Sequence, residues 1–106
     1  MQTDKLIELS KLRIDQQASK LALAERTEQQ LLVTHNGGLF KASQELISFL
    51  YISLDNIMYI PDSYNNPIKI DRAELLAELR AAYQAAMNEW YNEYEQLKKQ
   101  RRAGDI

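Results

Sequence analysis

The chain has no cysteine, a single histidine, two prolines and three glycines in 106 residues. Each shortage removes a class of chemistry. Without cysteine there are no disulfides and no thiolate nucleophile, and one histidine, His35, cannot assemble a zinc site of the familiar Cys/His ligand spacing. The paired glycines, Gly37 and Gly38, stand in no GxxxxGK[ST] or GxGxxG pattern, so they read as a turn and not as a phosphate loop. No GxSxG elbow surrounds any serine, which leaves nucleophilic catalysis without machinery. Asp55, Asn56, Asp62 and Asn65 lack the spacing of a calcium loop. Glu74 and Glu78 are neighbours on a helix, but the Glu-x-x-His companion of a di-metal bundle is missing. His35 itself reads as a polar residue closing a helix. No catalytic residue, cofactor or metal is therefore expected.

Two further absences concern partners. No run approaches the ~18 uninterrupted apolar residues of a membrane span, and the polar N-terminus has no signal-peptide core, so no membrane is expected as a partner. Charge of one sign is also lacking: the formal net charge is -2, which gives no global field toward nucleic acid.

What is present is helical pattern. With 45% hydrophobic and 26% charged residues, the chain fits one small domain over 1–106. Its organising stretch is 72–102. Asp71 followed by Glu74 is a capping box, and Ile70 and Leu75 stand at the positions of a hydrophobic staple. From there Leu76, Leu79, Tyr83, Ala86, Trp90, Tyr94 and Leu97 recur at steps of three and four, which predicts one long helix. At 1.5 Å per residue it would be ~46 Å long, more than a short neighbour covers, so its distal half should find another chain.

A first helix is expected over 1–35, stopped by Asn36, Gly37 and Gly38. It carries two stripes. Ile7, Ile14, Ala18, Leu21 and Leu32 fall on one side, and Leu9, Leu12, Leu23 and Leu31 on nearly the opposite side. A hairpin of two helices would cover one stripe and leave the other in water, which argues for self-association or a partner. The second helix, 43–55, opens at Ser43 and is apolar nearly all round, so it belongs at the centre of the fold or of an assembly. Between it and the long helix, 57–70 has β-rich flanks around a turn-rich middle, a short hairpin or an extended loop.

Two groups are candidates for contact with other molecules. Tyr83, Trp90, Tyr91, Tyr94 and Leu97 form an aromatic face of the kind enriched at protein interfaces, and Tyr91 points about 100° away from Trp90. Lys98, Lys99, Arg101 and Arg102 form a basic end that can complement the helix dipole or touch an anionic partner. Glu93 and Glu95 blunt that patch, so nucleic acid is not expected as a specific ligand.

Asn36-Gly37-Gly38 with Phe40, Ser43-Gln44-Glu45-Leu46, the run Asn65-Asn66-Pro67-Ile68-Lys69-Ile70-Asp71, and Tyr83, Trp90, Tyr91, Tyr94 and Lys98 resemble small helical proteins of T4-like tailed phages, marine ones in particular. The resemblance spans about residues 30 to 102 and has no catalytic motif to carry over. It implies a setting in virion structure, virion assembly or host takeover, with the protein in the virion or the host cytoplasm; otherwise a cytoplasmic protein is expected. The combined expectation is a mainly α protein of three helices that acts without catalysis as a structural or assembly component, associating with itself or another protein. The alternative is a small adaptor that binds and modulates a nucleic-acid machine of host or phage.

Overall fold

How the first helix ends is decided by a hydroxyl, a β-branched pair and an Asn-Gly turn. The computed structural model describes the backbone from residue 2 to residue 104 and the side chains of residues 8, 10, 11 and 13–100. Helix α1 covers Gln2–Gln30, strands β1 (Leu32–His35) and β2 (Gly38–Lys41) follow, then helix α2 (Gln44–Ile52), strands β3 (Ile57–Pro61) and β4 (Pro67–Asp71), and helix α3 (Arg72–Gly104). The buried Thr27 turns its hydroxyl back to the Leu23 carbonyl at 2.9 Å, and the Leu31 amide is shared between the carbonyls of Thr27 and Glu28. Such back-bonding weakens a helix. Val33 and Thr34 then favour extended backbone.

The expected helix over 1–35 is thus corrected: it stops at Gln30, and the residues assigned to its last turn form a strand. Asn36 (φ 49°) and Gly37 (φ 81°) both take left-handed backbone, which makes the two-residue turn that matches strand twist. Register runs from Leu32 opposite Lys41 to His35 opposite Gly38. Gly38 has a separate reason to be glycine: a Cβ there would meet Ile68 Cγ1 at 2.6 Å.

Of the two forms expected for 57–70 the hairpin is the one found, and its second strand runs one residue further, with Ile57 opposite Asp71 and Pro61 opposite Pro67. Its alternation is regular. Ile60 and Ile70 are buried, Met58 and Ile68 are partly buried, and Ile57, Tyr59, Pro61, Pro67 and Lys69 face outward. The two hairpins are separate two-stranded sheets. Side chains and loops join them: Asn36 Nδ2 donates to the Lys69 carbonyl (2.9 Å), the Ser63 amide to the Leu39 carbonyl (2.7 Å), and the Leu39 amide to Asp62 Oδ2 (3.2 Å). Phe40, Leu50, Ile70, Leu75 and Leu79 are the large, fully buried side chains of the core between the hairpins, α2 and the first turns of α3.

Helix α3 begins as its signal requires. The Asp71 carboxylate accepts the Glu74 amide at 3.1 Å, and Ile70 and Leu75 are both fully buried. It runs on to Gly104, two residues past the expected end. One side of its distal half is covered by α1, which lies antiparallel against it: Gln30 bonds Glu89 at 2.6 Å and Arg26 bonds Glu93 at 2.9 Å. The result is a head of two hairpins and α2 on a two-helix stalk, 67 Å long and about 20 Å across.

Helix α2 departs from expectation within the chain. Ser43 caps it by accepting the Leu46 amide, and it ends at Ile52 rather than 55. Among its residues Leu50 is buried, Leu46 and Ile47 pack on the core edge, and Phe49, Tyr51 and Ile52 face outward. It is a flank of the head, not its centre.

Candidate functional site

The apolar residues that the fold leaves outside concentrate in 49–59. Phe49, Tyr51, Ile52, Leu54, Ile57 and Tyr59 are all exposed there, Leu54 at 93%. Their backbone is nevertheless held. Ser53 donates from both its amide (3.2 Å) and its hydroxyl (2.6 Å) to the Phe49 carbonyl, closing α2. Arg72, at the start of α3, reaches back to the carbonyls of Leu50 and Asp55, each at 3.1 Å, and its amide bonds the Asn56 carbonyl at 2.9 Å. One arginine thus satisfies an orphan carbonyl of α2 and fixes the loop behind it. The guanidinium of Arg80 lies 5.1 Å from the centre of the Tyr51 ring, a cation–π contact between α3 and α2. The segment is a rigid display of apolar side chains.

The aromatic face expected on α3 divides. Tyr83 packs against the core, and its hydroxyl accepts from Gln44 Nε2 at 2.7 Å, so it serves the joint between α2 and α3. Tyr94 and Leu97 are half-buried against α1, with the Lys20 ammonium 5.9 Å from the Tyr94 ring. Trp90 stacks on Tyr94 at 5.9 Å between centroids and stays 41% exposed; Tyr91 is 59% exposed. Only Trp90 and Tyr91 of the five present open surface. Of the two expected stripes, Leu23 in α1 and Leu31 just beyond it are buried, while Ile14 and Leu21 in α1 and Leu32 at the start of β1 are exposed. The side chains of Ile7, Leu9 and Leu12 lie outside the described residues.

At the basic end, Lys98 is engaged within its own helix, 3.4 Å from Glu95 Oε1 and 5.2 Å from the Tyr94 ring centroid. Lys99 is exposed. The side chains of Arg101 and Arg102 lie outside the described residues. No helix, among the described residues, is long and apolar enough to cross a membrane.

A second grouping comes from the hairpin that the sequence reading missed. His35 is the last residue of β1, where alternation points it inward with Val33, and its side chain is 3% exposed. It does not close a helix. Its Nδ1 lies 3.3 Å from Glu78 Oε2, and Glu74 stands one turn earlier on α3; the ligand atoms of all three lie within 4.8 Å of one another. Nε2 is buried without a hydrogen-bond partner. The signal that would have found this grouping is the Asn-Gly turn after Val33 and Thr34, which puts His35 on a strand instead of a helix end.

No family model matches the chain, and no curated protein or solved structure matches it either.

Proposed function

We propose that the protein is a non-enzymatic structural or assembly subunit that acts by associating with copies of itself or with another protein, in the phage setting its resemblance implies. The observation that carries this reading is the fixed, outward apolar segment 49–59. Six large exposed apolar side chains within residues 49–59 are the kind of local concentration that marks an interaction site, whereas apolar residues scattered singly need no such explanation. Arg72 and Ser53 already order the backbone there, so association has only the side chains left to fix. The exposed Ile14 and Leu21 of α1 and the exposed Trp90 and Tyr91 offer a second contact along the stalk. The adaptor alternative draws less support, since Lys98 of its electrostatic anchor is engaged with Glu95 and Tyr94.

Light scattering over a micromolar concentration series tests the reading. The wild-type chain should run as a defined oligomer, and Ile52→Asp with Leu54→Asp should lower the mass while leaving far-ultraviolet circular dichroism unchanged. A wild-type chain that is a sharp monomer at every concentration, with an unfolding midpoint independent of concentration, would sink self-association.

A further inference from the structure

We infer that His35, Glu74 and Glu78 form a binding site for a divalent first-row transition-metal ion of the zinc or manganese class. The residues come from different parts of the fold, His35 from the end of β1 and the two glutamates from the first turns of α3. The histidine is held by burial. Its Nε2 is enclosed with no partner, so the one polar outlet of the ring is Nδ1, and Nδ1 faces the carboxylates.

The His35–Glu78 distance suits a shared cation as well as it suits a long hydrogen bond. At 3.3 Å, Nδ1 and Glu78 Oε2 are farther apart than the usual N–H···O contact of about 2.9–3.0 Å. With metal–ligand bonds of about 2.1 Å, two ligands on one tetrahedral or octahedral ion stand roughly 3.0–3.4 Å apart. Glu74 is exposed and one turn away, with the three ligand atoms within 4.8 Å of one another, so its side chain must rotate inward to share the ion. Charge favours the cation. Two carboxylates at i and i+4 repel, and among the described residues no lysine or arginine pairs with either. One imidazole and two carboxylates suit zinc, manganese or cobalt better than the all-oxygen shells of calcium and magnesium. The remaining coordination positions open to solvent on the Glu74 side, so the ion would clasp β1 to α3.

The test uses the full chain, stripped with chelator, and titration calorimetry with zinc, manganese and cobalt chlorides. Saturable binding near one ion per chain, weakened roughly 10-fold or more in Glu78→Gln and in Glu74→Gln with unchanged circular dichroism, is the expected result. No saturable binding by the wild-type chain, or equal binding by the double variant, overturns it. Since His35 is the only histidine, its imidazole resonances give a reading that needs no variant. Cobalt should shift or broaden them selectively at one equivalent; unperturbed resonances would overturn the site even if ions bind elsewhere.

Discussion

Three residues carry more of this head than their size suggests. Asp71 ends β4 and caps α3 in one position, accepting the Glu74 amide at 3.1 Å. Asp71→Ala should cost about 0.5–2 kcal/mol in thermal melts, the range for a lost N-cap acceptor; an unchanged midpoint would mean that the cap contributes nothing. Gly38 sits under Ile68, so Gly38→Ala forces overpacking worth about 1–3 kcal/mol. Ile68→Ala removes the obstructing Cγ1, and the pair should be less damaging than the sum of the singles; strict additivity would show that Ile68 is not what excludes a side chain. Asp62 acts through backbone amides. The Asn66 amide foremost, and those of Leu39 and Tyr64, hold its carboxyl below the usual carboxylate range, with desolvation opposing them. A group whose folded pKa is depressed contributes stability that is complete above its unfolded value and is lost as pH falls through the lower folded value. Asp62→Asn should therefore lower stability at neutral pH and flatten its decline below about pH 4. An acid limb as steep in the variant as in the wild-type chain would refute that role.

Among the elements, those with strong local signals were legible in advance and those decided by distant packing were not. The caps at Asp71 and Ser43 follow from short-range rules and stand where those rules put them, and the long helix and the hairpin before it are present with ends shifted by a residue or two. Leu31, Leu32 and Val33 continue an apolar pattern that a helix or a strand can use, so the pattern alone carries α1 too far; Thr27 and the Asn36-Gly37 turn settle the stretch as a strand. Helix α2 misled because an all-round apolar helix is usually buried, whereas here the fold covers mainly the side that carries Leu50. The grouping of His35 with Glu78 joins residues 43 positions apart and depends on the missed hairpin. The aromatic stripe was placed well in direction, but α1 covers one side of its distal half, which changes what Trp90 should do. Partly exposed and stacked on Tyr94, Trp90 should lose about 1–2 kcal/mol on replacement by alanine, below the ~3–5 kcal/mol of a buried tryptophan. Leu79→Ala, fully buried beneath the head, should cost ~2–5 kcal/mol. Urea unfolding of dilute, monomeric samples checks the order, and a Trp90 variant weaker than the Leu79 variant would reverse it.

At the scale of the whole molecule, a narrow stalk and a wider head offer two separable surfaces, and the proposed association need not use both. The head displays 49–59 on backbone fixed by Arg72, while the stalk offers Ile14, Leu21, Trp90 and Tyr91 beside charged and polar neighbours. Apolar area that is dense and already ordered returns more free energy per residue on association than area scattered along two long helices. The head should therefore be the primary contact. Leu54→Asp, at a side chain that touches little of its own chain, should reduce the mass in solution and abolish the rise of the thermal midpoint with protein concentration, leaving stability at low concentration within about 0.5 kcal/mol of wild type. Leu21→Asp on the stalk should leave both the mass and that concentration dependence largely intact. If the two outcomes are exchanged, association runs along the stalk, as the exposed Ile14 and Leu21 of α1 would allow, and the fixed backbone at 49–59 serves something other than assembly.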